Sequence, residues 1–264
     1  MGTTETAAAT AYPPNPEALP TLRERAGRYV LQFARQPEDL DRITKLRFEV
    51  FNLEIGEGLD SSYERCRDID AFDACCHHLM VSRADTAEVV GTYRLQTHAM
   101  AGSGRGYYSS DEFDLTPMAS RLPEAIELGR ACIAREHRNQ RVLFLLWRGL
   151  ARYVMENSGR YFFGCCSLTG QNVEHAWAVH AHLHRGGYLH PTLEVPTTAP
   201  YRCPEAPSPV ISDVSVPTLM QLYLDYGARI ISPPALDRRF NTIDFLALFD
   251  LADVDARVRR MFFD

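Results

Sequence analysis

One stretch, residues 125–168, constrains the chain more than any other: AIELGRACIAREHRNQRVLFLLWRGLARYVMENSGRYFFGCCSL. It reads as strand, basic loop, amphipathic helix, strand. Leu143, Leu146, Trp147, Leu150 and Val154 recur at i, i+3, i+4, i+7 and i+11, which gathers them on one apolar helical face. Arg141, Arg148 and Arg152 fall on another face. Gly159 is placed to stop the helix. Tyr161–Ser167 is a short apolar run between breakers, consistent with a buried strand. The rest of the chain is expected to hold this unit and bring two substrates to it.

The flanking segments supply the remaining layers. Residues 1–20, rich in Ala, Thr and Pro without periodicity, are expected to form a disordered tail, and 21–264 a single domain. RYVLQFA over 28–34 predicts a first strand. Pro37 opens a predicted helix of about fifteen residues with Leu40, Ile43, Leu46, Phe48, Val50 and Phe51 on its stripe. Residues 54–69 read as loop, and His78–Arg83 and Glu88–Gln96 as half-buried antiparallel strands joined at Ala84–Ala87. Residues 99–111 read as a flexible Gly/Ser loop, not a phosphate loop, because no strand and long helix flank it. Beyond 170 the pattern predicts a His-rich helix over 171–185 and an extended Pro-rich run from Pro191 to Pro217. A short helix over Pro217–Tyr226, strands at Ala228–Ile231 and Thr242–Phe249, and a terminal helix at Asp253–Phe262 complete it. The order predicts an α+β domain around one mixed β-sheet flanked by helices, with a C-terminal extension.

Several clusters carry possible chemistry. Glu127 sits in A-I-E-L-G, where burial would raise its pKa unless a cation lies nearby. Arg130, three residues on, falls on the opposite strand face unless the strand bulges, which Gly129 would allow. Glu127 reads equally as a binder or base for a substrate amine and as half of a structural ion pair. Arg135, Arg138 and Arg141 precede the helix, where free N–H groups and the dipole favour anions; the alternative is a solvated loop. Asp68, Asp70 and Asp73 suit a cationic substrate, or turns and caps. His180 and His184 share a helical face but lack the glutamate of a zincin, so no metal is expected.

Composition narrows the classes. A net charge of −6 argues against general nucleic-acid binding. Seven cysteines, including the adjacent pairs Cys75–Cys76 and Cys165–Cys166, form no C-x-x-C framework and read as buried thiols. No signal-peptide pattern occurs, and no run reaches the roughly 20 apolar residues of a spanning helix. A cytoplasmic protein is expected, with room for peripheral contact with the inner membrane surface.

Taken in order, Arg47–Phe48–Glu49–Val50–Phe51, Asp70–Ala71–Phe72–Asp73, Val90–Gly91–Thr92–Tyr93–Arg94–Leu95 and Glu127–Leu128–Gly129–Arg130 resemble the acyl-homoserine-lactone-synthase-like branch of the GNAT fold. Within it the chain is most similar to the ornithine-acyl-carrier-protein N-acyltransferase group, sometimes labelled hemolysin-like. Tyr107–Leu115, Leu145–Tyr153 and Tyr161–Ser167 support the match, which covers residues 28–170 well and continues loosely to Phe249. The resemblance implies two splayed central strands, near 126–133 and 161–167, with an acyl-pantetheine arm between them. An amine attacks the thioester, giving an amide and a thiol. In the group, acyl carrier protein brings a 3-hydroxyacyl chain, ornithine is the acceptor, and lyso-ornithine lipid is the product.

The resemblance also implies roles. Glu127 would orient or deprotonate the amine. Arg130 and Arg94 would fix a carboxylate or a neighbouring acid by forked hydrogen bonds, with Arg47 on the substrate side. Asp70 and Asp73 would order the acceptor pocket or bind the acceptor's cationic end. Arg138, Arg141 and Arg148 would meet the phosphopantetheine phosphate or the carrier's acidic face. Phe144, Leu145 and Trp147 are tunnel or core. No bound cofactor is implied, only acyl-phosphopantetheine or acyl-CoA as co-substrate. The segment Arg138–Leu143 lacks the glycines of acetyl-CoA users, which favours the carrier donor. The signal-synthase tryptophan is absent between 52 and 76. Two alternatives stay open: a synthase of N-acyl amino acids or acyl-homoserine-lactone-type signals, and a non-catalytic lipid- or carrier-binding protein.

Overall fold

A computed structural model of the protein describes residues 12–206, 214 and 216–263. The period-two stretches pair as an antiparallel meander: β1 (Arg23–Ala26), β2 (Tyr29–Phe33), β3 (His77–Arg83), β4 (Val89–Thr97) and β5 (Ala125–Ile133). β6 (Tyr161–Thr169) runs parallel to β5. Three later strands, β7 (Arg229–Ile230), β8 (Ala235–Asp237) and β9 (Thr242–Asp250), complete the sheet, with β9 antiparallel to β6. The spatial order is β1-β2-β3-β4-β5-β6-β9-β7, and β8 also pairs with β9.

The helices are α1 (Pro37–Arg47), α2 (Ser62–Arg65), α3 (His98–Ser103), α4 (Gln140–Glu156), α5 (Val173–Arg185), α6 (Thr218–Asp225) and α7 (Ala256–Phe262). Leu79 and Val81 of β3 pack in one cluster with Leu145, Leu146 and Leu150 of α4. Met80, between them, packs with Ile43 and Leu46 of α1. Alternation along the strand therefore places α1 and α4 on opposite faces. This is the α+β mixed sheet that the order of elements implied. No helix among the described residues is long and apolar enough to cross a membrane.

Several boundaries differ from the expectation. The charged segment RERA lacks apolar alternation, yet it pairs with β2 through a turn at Gly27 (φ +62°). The helix opened by Pro37 keeps α geometry only to Arg47 and then widens into a π-helix over Phe48–Ile55. The expected loop over 99–111 contains most of α3 and a 3-10 turn, Tyr108–Asp111.

The expected tail is corrected in part. Residues 1–11 lie outside the described residues, but 12–20 are packed. Tyr12 meets His78 Nδ1 at 3.1 Å, His77 Nε2 meets the Pro14 carbonyl at 2.6 Å, and Leu19 is buried. Two buried strand histidines thus find polar partners in a segment without periodicity of its own. The Pro-rich run is described only to 206 and at 214, 216 and 217.

Two irregularities shape the centre of the sheet. Thr92 pairs with Cys132 and Arg94 with Gly129, so Arg130 and Ala131 together oppose Tyr93. This is a β-bulge, and Arg130 takes φ +48° there. In addition, β5 and β6 pair only from Ala125 to Glu127 against Tyr161 to Phe163. Past that point no ladder joins them.

Candidate active site

A cavity of about 260 Å³ opens where β5 and β6 part. Leu128–Ala131 line it from β5 and Phe162–Ser167 from β6. One end is apolar, with Trp147, Leu150, Phe162, Tyr223 and Phe249. The other end carries Arg130, Glu112, Asp237, Asp244 and Tyr108. Phe249 and Asp244 have opposite parity on β9, whose register with β6 is unbroken. The two ends therefore lie on opposite faces of the sheet, and the cavity passes through the splay. Of the three tunnel candidates only Trp147 lines it; Leu145 is core, and Phe144 packs against Phe262.

The acids and arginines of the resemblance come together beside this cavity, largely neutralising one another. Arg47 is fully buried at the end of α1. Its guanidinium donates to Asp68 Oδ1 at 2.8 Å and to Asp73 at 2.6 and 3.2 Å. Arg94 donates to both oxygens of Asp70, at 2.7 and 2.6 Å, and to Asp73 at 3.2 Å. The buried His78 adds a contact to Asp73 at 3.3 Å. Arg47 and Arg94 hold the Asp73 carboxyl well below the ordinary range against burial, and Arg94 lowers that of Asp70. Buried charges persist when paired and hydrogen-bonded in this way. The charged atoms of Arg47, Asp73, Asp70 and Arg94 thus face each other, as the expectation of a neighbouring acid and an ordered pocket allowed, and only Arg94 among them lines the cavity.

Arg130 differs. The bulge brings it to the face of Arg94 and Glu127, as the sequence allowed, although the left-handed residue is Arg130 and not Gly129. It donates to Asp68 Oδ2 at 3.0 Å and stacks over Phe240 at 4.3 Å and Phe51 at 5.1 Å. Its buried Nε has no hydrogen-bond partner among the described residues. A forked donor in a cavity with spare capacity suits a carboxylate.

Glu127 is buried but does not line the cavity. Its Oε2 accepts from the Tyr108 amide at 2.9 Å, and its Oε1 from the amide and hydroxyl of Ser109 at 2.7 and 2.5 Å. Burial raises its pKa, and these donors oppose the rise. It therefore clamps the turn that carries Tyr108 and Glu112 into the cavity.

The basic loop is partly occupied. Arg138 forms a forked pair with Glu54 at 2.7 and 2.8 Å, and Arg148 lies 3.6 Å from Glu24. Asn139 caps α4 by accepting from the amides of Arg141 and Val142, so two N–H groups of the expected anion site are already used. Arg135 and Arg141 stay exposed beside that helix start.

Glu112, Asp237 and Asp244 are the site residues that sequence reasoning missed. Each is buried, and each offers a carboxylate oxygen within 4.8 Å of the others, a spacing that fits around one cation. Burial, then the charges of Asp244 and Asp237, pushes Glu112 up to about 10. Burial pushes Asp244 up to about 6 against hydrogen bonds from Ser167 and Thr242. A signal existed: Asp244 is a lone acid in the apolar run TIDFLALF, the same pattern that singled out Glu127.

A mixed sheet split between one parallel pair, with an apolar and a polar chamber meeting at the split, defines an acyltransferase of the GNAT class. Residues 46–148 match the acetyltransferase (GNAT) domain model. The chain is 31% identical over 243 residues to the L-ornithine N(alpha)-acyltransferase of Rhizobium meliloti (strain 1021), covering 86% of this chain and 81% of that protein. It is 31% identical over 253 residues to the protein of the same name from Agrobacterium fabrum (strain C58 / ATCC 33970), covering 88% and 84%. The fold also matches the structure of FeeM, an N-acyl amino acid synthase from uncultured soil microbes, with TM-score 0.53, 10% identity and coverage of 86% and 94%. The chain belongs to the L-ornithine N(alpha)-acyltransferase family.

Proposed function

We propose that the chain moves a 3-hydroxyacyl group from an acyl carrier protein thioester to the α-amine of ornithine, giving lyso-ornithine lipid. The observation that carries this reading is the split cavity, apolar on one sheet face and polar on the other. An acyl chain suits the Trp147 side, and an amino acid suits the Arg130 side. The thioester carbon then sits at the parting of β5 and β6. There the amine nitrogen bonds to the thioester carbon and the C–S bond breaks. Sulfur leaves as the thiol, and the nitrogen loses one proton. Free backbone N–H groups along a splayed strand suit the developing oxyanion.

In this reading Arg130 receives the acceptor's carboxylate. Glu127 acts through the Tyr108–Ser109 turn as a positioning residue, because its oxygens already accept three hydrogen bonds. The exposed Arg135 and Arg141 beside the start of α4 suit the acidic face of a carrier, or its phosphate. The test is mass spectrometry of lipids from a host expressing the chain, with ornithine omitted and added. An acyl-ornithine that rises with added ornithine is expected. No ornithine amide under either condition would overturn the reading.

A further inference from the structure

Resting on that reading, we propose that Glu112, Asp237 and Asp244 form the subsite for the distal ammonium of a diamino-acid acceptor. The three carboxylates come from distant parts of the chain: the loop before β5, the end of β8 and the body of β9. They meet at the polar end of the cavity, with one oxygen of each within 4.8 Å of the others. Glu112 is 1% exposed and Asp244 3%. Yet Glu112 Oε2 and Asp244 Oδ1 have no hydrogen-bond partner among the described residues. Asp244 Oδ2 accepts from the Thr242 hydroxyl at 2.9 Å, and Asp237 Oδ1 accepts from the amides of Arg239 and Phe240 at 2.7 and 3.3 Å. Asp237 and Asp244 are thus held in place by their own neighbours, while Glu112 and Asp244 each keep an acceptor atom spare.

Buried acceptors without donors are costly, and like charges packed together more so. A proton between them relieves this, and so does a cation. An alkylammonium is the matching partner: a single positive charge with three N–H donors for three carboxylates. Arg130 lines the same cavity. A carboxylate on Arg130 and a distal ammonium on the acid triad would hold an amino acid at both ends. Only the α-amine would be left to face the splay. The acids that the sequence offered for this task, Asp70 and Asp73, are consumed by Arg47 and Arg94. The triad supplies the selectivity that they cannot.

The experiment uses the purified full chain with acyl carrier protein thioester as donor. The acceptors are L-ornithine and L-norvaline, which share a carbon skeleton and differ in the distal amine. Wild type is expected to prefer ornithine in kcat/KM by at least about tenfold, the scale of one charge-assisted hydrogen bond. Asp244→Asn and Glu112→Gln are expected to collapse the ornithine-to-norvaline ratio towards one, chiefly by raising the ornithine KM. Calorimetry with ornithine should show the same weakening without turnover. An unchanged ratio in folded variants, or no preference in wild type, would overturn the proposal. Loss of activity on chelation, restored by a divalent metal, would assign the triad to a metal instead. If a variant fails to fold, the wild-type preference decides. Transfer to neither acceptor would count against the acyltransfer reading, and the calorimetric arm would then decide the subsite alone.

Discussion

Glu127 shows how the environment of a single side chain selects its role. A carboxylate accepting three hydrogen bonds at its two oxygens has little left for substrate. Glutamine at this position would set an amide N–H₂ against a backbone N–H. Glu127→Gln is therefore expected to cost on the order of 2 kcal/mol of stability. It should also raise the acceptor KM, because Tyr108 and Glu112 move with the turn. The pH–rate profile should keep its shape. A vanished acidic limb with an unchanged KM would instead mark Glu127 as the base, and denaturation and steady-state kinetics together separate the two. The buried acid itself was legible in the sequence. Its partners were not, since Ser109 is 18 residues away in a loop without periodicity.

At the scale of elements, the parting of β5 and β6 begins at an intimate contact just past their last ladder pair, Glu127 and Phe163. A Cβ built on Gly164 would lie 2.2 Å from the Leu128 carbonyl oxygen, closer than any side chain can stand. Gly164→Ala must push the strands apart where their ladder ends. A loss of about 1–3 kcal/mol is expected, as for other overpacked sites, together with a higher KM for the acyl donor. An unchanged denaturation midpoint would contradict the close approach. The strand–helix–strand unit was legible because α4 carries a full apolar stripe. The bulge was foreseen as an option, but at the wrong residue. Glycine at 129 had the intrinsic freedom, while Arg130 is held at φ +48° by Asp68, Phe51 and Phe240, all remote in sequence.

For the molecule as a whole, Arg47, Arg94, Asp68, Asp70, Asp73 and Arg130 tie α1, β4, β5 and the segment before β3 into one charged knot. Asp70 and Asp73 have lowered pKa values in the folded state. Their contribution is thus present above the ordinary aspartate value of 3.8 and is lost as pH falls from there through the lowered values. Asp73→Asn leaves Arg47 and Arg94 short of a partner and is expected to cost about 3–5 kcal/mol near pH 7. The gap to wild type should narrow at about pH 3, where the unfolded chain's Asp73 carboxyl takes up a proton while the folded one, held well below the ordinary value, still carries its charge. Chemical denaturation at the two pH values measures it. An equal gap at both would mean that charge pairing is not what the site contributes.

The division between sequence and structure follows from the range of the forces. Periodicity, caps and breakers are local, so the α+β class, the mixed sheet, the amphipathic α4 and the two central strands could be read from the chain. The family was reached by a different route, the resemblance of the quoted motifs in their order and spacing. Which charge meets which is decided over tens to more than a hundred residues by how strands align and faces pack. Asp70 and Asp73 could have faced a substrate until Arg47 and Arg94 were seen to neutralise them. Glu112, Asp237 and Asp244 were three unrelated acids until the register of β9 and the turn before β5 brought them to one end of one cavity.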